Sequence, residues 1–282
     1  MKILLFGSVG LLGSDLIKVC DGEHEIKAPS LEDVDITDFD SVYRIISDHS
    51  PDVVINAAAI TDVDKCETDP DTAYLINAIG PKNIAIACRD NKIKMIHIST
   101  DYVFDGTKGE PYTEFDTPNP IGVYGMSKLA GERFVQQILN DFMIIRTAWM
   151  FGEKRAHFVD YVVNGILKSD EIIAVKDMIS SPTYSFDMSN GIKSLMTKNQ
   201  TGIFHMVNKG YASRVEMVEE IFKIMKKQTM VKVMNQSQWK RPAKRPVFSA
   251  LLNYHLHLID ADEMPGWRDA IRRYIKYKFK RS

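Results

Sequence analysis

Short apolar runs alternate with helical patterns over the first half of the chain. Apolar runs that predict buried strands lie at 2–6, 25–28, 51–56, 94–99 and 142–146. Between them, apolar residues recur with helical spacing, which predicts helices after Gly13, at about 70–89 and at about 123–139. Strands and helices that alternate at short spacing are typical of a doubly wound parallel sheet. We therefore expect an α/β fold of the Rossmann-like kind.

The second half of the chain is less regular. Helical and strand patterns there lie at 158–167, 172–175, 186–195, 203–207, 215–225 and 231–234. We expect strands near 172–175 and 203–207 to join the sheet of a dinucleotide-binding domain at 1–152, and most of 153–282 to form a smaller, C-terminal substrate-binding lobe. A basic amphipathic helix is predicted at 267–281, and we place its Tyr274 and Lys278 on the surface, far from any strand end.

Composition and charge exclude several classes of protein. The 282 residues are 45% apolar and 26% charged, as in ordinary globular proteins, and the formal net charge is −1. This balance gives no sign of a nucleic-acid or anionic-membrane partner. No segment approaches the roughly 20 apolar residues that span a bilayer, and Gly7 interrupts the first apolar run too early for a signal peptide. Cys20, Cys66 and Cys88 show no metal-ligand spacing, so we expect free thiols and a cytoplasmic location.

A glycine-rich turn follows the first predicted strand. Gly7, Gly10 and Gly13 enclose Leu11 and Leu12, and a helical pattern begins at this point. Glycine lets the backbone turn tightly and approach a pyrophosphate closely, and the free N–H groups of a helix N-terminus bind its charge. An ordinary tight turn is the alternative, but strand, glycine turn and helix in this order are typical of dinucleotide binding. We assign all five residues to the cofactor site.

The segments after the second and third predicted strands supply further cofactor candidates. An NAD-preferring site usually carries an acidic residue near the end of the second strand, whereas this chain has Lys-Ala-Pro-Ser at 27–30, which favours NADPH over NADH. The pair at 35–36 could lie against the adenine. The alanines at 57–59 would let backbone lie close to a cofactor, or they simply pack under a helix. The candidates in these segments are Asp35, Ile36, Ala57, Ala58, Ala59 and, on the helix that follows, Asn77.

Three polar side chains form the candidate catalytic group. Thr100 follows the fourth predicted strand, and Tyr124 and Lys128 lie four residues apart on one face of a helix. Ligands of a doubly wound sheet sit beyond the carboxyl ends of the strands, where Thr100 and the long loop 101–119 are expected. These groups suit carbonyl reduction: we expect Tyr124 to protonate the alkoxide with a pKa lowered by Lys128, and Thr100 to polarise the ketone.

Three further features point to a substrate. Trp149 comes just after the fifth predicted strand and is either a core residue or, as its position favours, a stacking surface for a ring-shaped ligand. The basic, proline-punctuated loop 240–246, which contains Arg245, would clamp a diphosphate or form a solvated linker. Asp101, beside Thr100 at the strand end, is the third candidate for a substrate contact.

Motifs along nearly the whole chain carry a family resemblance. They are 4–13 with its glycines, Asn-Ala-Ala-Ala at 56–59 with Thr61, Val-Asp-Lys at 63–65 with Glu67, Ser-Thr-Asp-Tyr-Val-Phe at 99–104, 124–128, Arg-Thr-Ala-Trp at 146–149, Ser-Pro-Thr at 181–183, and Arg-Pro at 245–246 with Ser249. Together they resemble the extended short-chain dehydrogenase/reductase family and, within it, the dTDP-4-dehydrorhamnose reductase family. The run at 99–104 is specific to this branch rather than to the superfamily.

The resemblance implies a reaction and roles for several residues. Thr100, Tyr124 and Lys128 would be the catalytic triad, the three glycines would bind the dinucleotide, and Trp149 would face the sugar. The implied reaction is the NAD(P)H-dependent reduction of the 4-keto group of dTDP-4-dehydro-6-deoxy-L-mannose to dTDP-L-rhamnose. A glutamine that usually precedes the Pro-Thr pair is replaced around 178–180, which leaves the sugar open. Some relatives hold Mg²⁺ at a subunit contact, so a homodimer is allowed here, but those ligands do not map and we assign no metal residue.

Two other functions remain open from the residues. Epimerases and dehydratases of nucleotide sugars use the same scaffold, keep NAD bound and return the hydride. The run at 99–102 and the lack of an acidic residue after the second strand argue against them. The other alternative is a non-catalytic, NADP(H)-binding regulatory subunit, against which the complete set of catalytic side chains argues.

Overall fold

A parallel sheet forms the centre of the molecule. The structure, a computed structural model, describes residues 1–279, and within them a six-stranded sheet has the order β10-β5-β4-β3-β1-β2. All its neighbouring strands are parallel. The strands along the chain are β1 Lys2–Phe6, β2 Glu25–Lys27, β3 Val53–Asn56, β4 Lys94–Thr100, β5 Phe142–Thr147, β6 Met150–Phe151, β7 Ile172–Val175, β8 Ile179–Ser180, β9 Thr183–Tyr184, β10 Gly202–His205, β11 Ala212–Ser213 and β12 Val231–Met234. The predicted Rossmann-like α/β fold is confirmed.

Helices cover both faces of this sheet. Other helices pack on the smaller sheets. In chain order, the helices of residues 1–279 are α1 Leu11–Cys20, α2 Phe39–His49, α3 Val63–Thr68, α4 Pro70–Tyr74, α5 Gly80–Asn91, α6 Val123–Ile138, α7 Phe158–Lys168, α8 Ser185–Met196, α9 Arg214–Met225, α10 Tyr254–Leu258 and α11 Trp267–Phe279. Short 3₁₀ turns lie at Asp101–Val103 and Gln236–Gln238. The predicted helix at 70–89 is confirmed with one change, because a π-helical turn at Leu75–Ile79 separates α4 from α5.

Two apolar layers hold the helices on the sheet. On one face α1 and α8 pack through Leu16 and Ile192, and on the other face α2, α5 and α6 pack through a second buried cluster that includes Ile46 and Ile84. Each fully buried Leu or Ile stabilises the fold by about 1.5–3 kcal/mol relative to exposure. Since α8 and β10 come after residue 152, the dinucleotide domain recruits chain from the segment assigned mainly to the lobe.

One strand predicted to join the central sheet does not. As predicted, the segment near 203–207 contributes β10, which pairs with β5. The prediction for 172–175 is wrong, because β7 pairs with β12 in a separate two-stranded sheet under α7 and α9. Ile173 is 41% exposed, so β7 is not buried along its whole length, unlike β3, whose residues are all buried. An apolar run of four residues does not distinguish these two environments.

The second Tyr-x-x-x-Lys pair is part of the lobe core. Tyr274 is fully buried, and its hydroxyl donates to Asp160 Oδ1 at 2.6 Å, while Lys278 Nζ lies 2.7 Å from Asp160 Oδ2. The surface placement of this pair was therefore wrong, because the apolar face of α11 packs into the lobe and Asp160 on α7 satisfies both polar groups. The predicted end of this helix, 280–281, lies outside the described residues.

Two other expectations concern cysteines and membranes. Cys20, Cys66 and Cys88 are free thiols and are buried. Within residues 1–279, none of the helices combines the length and the apolar character needed to cross a bilayer.

Candidate active site

The glycine turn between β1 and α1 is built without room for side chains. Gly7 has a φ of 86°, and a Cβ there would lie 2.5 Å from Ala58 N. A Cβ on Gly13 would lie 2.2 Å from Gly7 O. Gly10 precedes α1, whose first N–H groups have no side-chain cap. The turn therefore packs directly on the alanine segment after β3 and presents a helix N-terminus, an arrangement that accommodates a pyrophosphate.

Two glycine substitutions should separate the fold of this turn from its ligand. Gly13→Ala should destabilise the protein by about 1–3 kcal/mol, since the new methyl overlaps backbone. Gly10→Ala should cost about 1 kcal/mol or less, because its Cβ meets only Gly7 O, at 3.3 Å, and otherwise open space. Urea unfolding and NADPH titration of both variants would check this. Weak NADPH binding by a stable Gly10→Ala variant is expected, and unchanged NADPH binding would contradict a pyrophosphate site here.

The alanine segment is held by two asparagines. Asn56 Oδ1 accepts a hydrogen bond from Ala58 N. Asn77 Oδ1 accepts from Ile60 N, and its Nδ2 donates to Ile60 O and to Ser127 Oγ. All polar groups of the buried Asn77 amide are thus engaged within the protein. The structure places Asn77 as a link between the alanine segment and α6, and not as a side chain that points at a cofactor.

The segment after β2, which was expected to contact the cofactor, bonds largely within the protein. Lys27 is exposed, but the Ser30 hydroxyl donates to Asp33 Oδ2 at 2.8 Å. Asp35 Oδ1 accepts from Thr37 N, and Ile36 is buried against Gly80. Asp38 caps α2, and its side chain accepts from Asp40 N.

The catalytic candidates meet where β4 ends and α6 begins. The Thr100 side chain lies close enough to the Tyr124 phenol to lower its pKa, against the larger effect of burial. A Cβ on Gly125 would lie 2.1 Å from Tyr102 O, so only glycine allows α6 to approach this closely. Glu67 on α3 accepts from Val123 N and fixes the first turn of the helix. The predicted proximity of Thr100 and Tyr124 is therefore present in the structure.

Burial dominates the electrostatics of Tyr124 and Lys128. It raises the pKa of the Tyr124 phenol well above its usual value, because the phenolate would lose solvation. Burial also lowers the pKa of Lys128 to about 8, although the charge of Glu132 opposes it. Lys128 Nζ donates to Ile98 O at 2.6 Å. The expectation that Lys128 lowers the pKa of Tyr124 is therefore wrong for the protein alone.

A buried ion pair lies one turn away from Lys128 on α6. Arg146 on β5 donates to both carboxylate oxygens of Glu132, at 3.0 and 2.7 Å, and the Ser99 hydroxyl donates to the same carboxylate. Glu132 is one turn after Lys128 on α6, and both members of the pair are almost completely buried. The pair thereby fixes the position of α6 over β4 and β5.

Asp101 lies inside the protein beneath Thr100. Its carboxylate accepts hydrogen bonds from the hydroxyls of Thr100, Ser180 and Ser249, which come from three separate segments. Burial raises its pKa to about 6 despite these bonds. Predicted as a substrate contact, Asp101 is placed so that it orients Thr100 and joins the end of β4 to Ser180 and Ser249.

Trp149 and Arg214 form one wall of the site. The Arg214 guanidinium carbon lies 3.5 Å from the centre of the Trp149 ring and also faces Phe158. Trp149 has a left-handed φ of 35°, a strained conformation that is concentrated at functional sites. Burial lowers the pKa of Arg214 to about 10, and Tyr102 and Asp101 are the groups that oppose this shift.

Arg214 was missed by the sequence argument. It is the first residue of α9, directly after the capping residue Ser213. A cation is unfavourable at the positive end of a helix dipole, so an arginine at this position is itself a signal of a nearby anion. Among residues 1–279, the groups in direct contact with its guanidinium are the two aromatic rings and Met217 Sδ, and none is a carboxylate.

The basic loop 240–246 is docked on α3. Arg245 Nη2 lies 2.9 Å from Asp64 Oδ2, and its Nη1 donates to Ala243 O. Trp239 stacks against both Arg241 and Arg245. The Arg245 guanidinium, expected at a substrate diphosphate, is thus engaged by Asp64. For metals, residues 1–279 hold no group of three His, Cys, Asp or Glu side chains arranged as ligands.

A glycine turn lies at the first strand–helix junction, and a Thr-Tyr-Lys group lies at the carboxyl ends of later strands. Together these two features define a short-chain dehydrogenase/reductase site. Comparison with known proteins specifies the family. Residues 1–279 match the model of the RmlD substrate binding domain. The chain belongs to this family, the family of dTDP-sugar 4-keto reductases that includes the dTDP-4-dehydrorhamnose reductases, as the motifs predicted.

Individual relatives match most or nearly all of the chain. The spore coat polysaccharide biosynthesis protein SpsK of Bacillus subtilis is 34% identical over 98% of this chain and 97% of its own length. A dTDP-4-keto-6-deoxy-D-glucose reductase of Streptomyces niveus is 35% identical over 79% of this chain and 78% of its own. The crystal structure of a dTDP-4-dehydrorhamnose reductase from Clostridium acetobutylicum has a TM-score of 0.95 at 39% identity, covering 98% and 99% of the two chains. That of the Bacillus anthracis reductase, in complex with NADP, also has a TM-score of 0.95, at 34% identity and the same coverage.

Proposed function

We propose that this protein reduces the 4-keto group of dTDP-4-dehydro-6-deoxy-L-mannose to dTDP-L-rhamnose with NADPH. The observation that carries this proposal is the placement of Thr100 beside the Tyr124 phenol, with Lys128 one turn further along α6. The 39% identity to a dTDP-4-dehydrorhamnose reductase over nearly the whole chain supports the substrate.

The cofactor would be held by the glycine turn and its surroundings. Gly7 and Gly13 let the turn pack closely on backbone, Gly10 borders open space, and α1 directs its N-terminus there. Exposed Lys27 is available to a 2′-phosphate, and a Bacillus anthracis relative binds NADP. The reduced nicotinamide, when bound, supplies the hydride. Lys128 would hold its ribose hydroxyls.

The protein's own groups handle the proton. Because burial raises the pKa of Tyr124, the phenol is protonated at neutral pH and has a proton to give to the new alkoxide. In the protein alone the Thr100 hydroxyl donates to Asp101. To hold the substrate oxygen beside that phenol, it would turn from Asp101 and donate to that oxygen instead. Lys128, whose pKa is lowered to about 8, would then return a proton to Tyr124.

Trp149 and Arg214 would bind the substrate as a unit. The indole offers a flat face for the sugar, and the guanidinium offers charged donors for a diphosphate, for which arginine geometry is well suited. Stacking on Trp149 and Phe158 orients Arg214 without neutralising its charge.

Arg214→Met should raise KM for the dTDP-sugar about ten- to a hundredfold with a smaller change in kcat. The estimate follows because a hydrogen bond to a charged group contributes about 1.5–3 kcal/mol, and about 1.4 kcal/mol is a tenfold change in affinity. Steady-state kinetics would measure it. Arg268→Met is the matched control, since Arg268 also stacks on a tryptophan, Trp267, but lies on α11. Equal KM values for the Arg214→Met and Arg268→Met variants would contradict a diphosphate contact.

Oxidation of NADPH or NADH with enzymatically generated dTDP-4-dehydro-6-deoxy-L-mannose tests the function directly. Substrate-dependent oxidation that yields dTDP-L-rhamnose is expected, faster with NADPH. dTDP-4-keto-6-deoxy-D-glucose should be tried in parallel, because the Streptomyces niveus relative is a reductase for that compound. Turnover of the second sugar alone would keep the reductase chemistry and overturn the substrate. No turnover of either sugar, with NADPH bound, would favour a regulatory binding protein.

A further inference from the structure

A buried histidine lies directly beneath Lys128. His97 is on β4, fully buried, and its Nε2 is 3.5 Å from Lys128 Nζ. Its Nδ1 is 3.2 Å from Nδ2 of Asn56, on the neighbouring strand β3. None of the proposed steps uses this imidazole, so its contacts with two polar side chains need a separate explanation.

The backbone determines which ring nitrogen carries the proton. Asn56 Oδ1 accepts from Ala58 N at 3.1 Å, so the amide NH₂ group of Asn56 must point at His97 Nδ1 and donate to it. Turning the amide round would set its NH₂ against the Ala58 N–H, two donors face to face. His97 Nδ1 is therefore an acceptor, and the proton of the neutral ring is on Nε2.

The Nε2–H group of His97 then points at Nζ of Lys128, which also donates a hydrogen bond to a backbone carbonyl. Lys128 Nζ donates to Ile98 O at 2.6 Å. An ammonium has three donors and no acceptor, and would meet the imidazole N–H donor to donor. A neutral amine has two donors and one lone pair, and it accepts from His97 Nε2–H while still donating to Ile98 O. We propose that His97 is a positioning residue that favours the neutral amine of Lys128 by directing its Nε2–H at Nζ.

The charged groups around Lys128 are consistent with this assignment. Among the described residues, Glu132 on α6 is the charge that acts on Lys128, and its two carboxylate oxygens are bound by Arg146 on β5. On β4 His97 itself is uncharged, because burial and the neighbouring Lys128 hold its pKa well below the usual value. On α3, Glu67 is engaged at Val123 N.

The consequence rests on the proposed function. A group that gives and takes a proton in each turnover works best with a pKa near the working pH. His97 would bring the amine and the ammonium of Lys128 close to balance, so that Lys128 can return a proton to Tyr124. The positioning itself is a property of the protein without sugar substrate, and it can be tested in that state.

The first test is the tautomer of His97 in the wild-type protein. ¹⁵N NMR of histidine-labelled protein should show a neutral ring protonated on Nε2, with its signals assigned by their loss in His97→Asn. A ring protonated on Nδ1, or a charged ring at neutral pH, would overturn the proposal. This measurement needs no active enzyme and no stable variant.

The second test is the titration of Lys128, followed through its ¹³Cε signal and assigned by Lys128→Met. His97→Asn keeps an acceptor for Asn56 and removes the Nε2–H, so the pKa of Lys128 should rise by about one unit or more, a tenfold change in proton affinity. His205→Asn is the control, because His205 is also fully buried, in β10. An unchanged Lys128 titration in His97→Asn would refute the proposal, whatever sugar the enzyme reduces.

Turnover provides a separate readout of the same effect. If the proposed function holds, the high-pH limb of the kcat profile should move upward in His97→Asn by the same interval as the Lys128 signal, and should stay in place in His205→Asn. If the Lys128 signal shifts in His97→Asn as expected but the wild-type protein shows no turnover, the positioning of Lys128 is supported and the reductase assignment fails.

Discussion

Tyr124→Phe is expected to lower kcat by about 10²–10⁴-fold, the usual contribution of a positioned general acid. The substitution removes the hydroxyl proposed to pass a proton to the alkoxide, while the ring keeps its contact with Tyr102. Because Tyr124 lies on α6 and not in the glycine turn, NADPH affinity should change by no more than about twofold, or about 0.4 kcal/mol. Single-turnover kinetics and fluorescence titration would measure the two effects.

Tyr274→Phe is the matched control for this experiment. It belongs to the second Tyr-x-x-x-Lys pair, whose hydroxyl is bonded to Asp160 in the lobe core. Its loss should leave kcat near the wild-type value and lower the free energy of unfolding by about 1–3 kcal/mol. If Tyr124→Phe retained wild-type turnover, the catalytic assignment would fail.

Glu132→Gln should lower the free energy of unfolding by about 3–5 kcal/mol, because it leaves the Arg146 charge buried without a countercharge. Glu132 and Arg146 have side-chain exposures of only 0% and 2%, so water cannot replace the lost partner. The loss should be seen in urea unfolding, and kcat should fall with it because Glu132 fixes α6 one turn from Lys128.

A double variant and a surface pair control this prediction. Glu132→Leu combined with Arg146→Met removes both charges and should be clearly more stable than Glu132→Gln alone. Asp90→Asn, which breaks the exposed ion pair of Arg89 and Asp90, should cost about 1 kcal/mol or less. A Glu132→Gln variant no less stable than Asp90→Asn would show that the buried pair does not hold α6.

Local patterns were sufficient for the features that depend on neighbours in sequence. Strand, turn and helix follow from apolar periodicity and from glycine, so the glycine turn, β4, α6 and the sheet class were all predictable. Thr100, Tyr124 and Lys128 were predictable for the same reason: the end of a parallel strand and one face of a helix are positions that spacing alone defines.

Contacts between segments that are far apart in sequence could not be predicted from local patterns. The strand at 172–175 has the same apolar pattern as a sheet strand, and only its packing under α7 and α9 decided where it pairs. Arg245 was predicted as an anion ligand and Arg214 was missed, since only the structure shows that Asp64 engages the first whereas aromatic rings hold the second.

Protonation states belong to the tertiary structure entirely. Sequence placed Lys128 beside Tyr124 and suggested a lowered phenol pKa, yet the folded protein raises it, because both groups are buried and desolvation acts on each separately. By itself, the sequence determined the fold class and the positions of the glycine turn and of the candidate catalytic residues. The tertiary structure decided which of the remaining polar groups are free to act, since that depends on partners brought together from far along the chain.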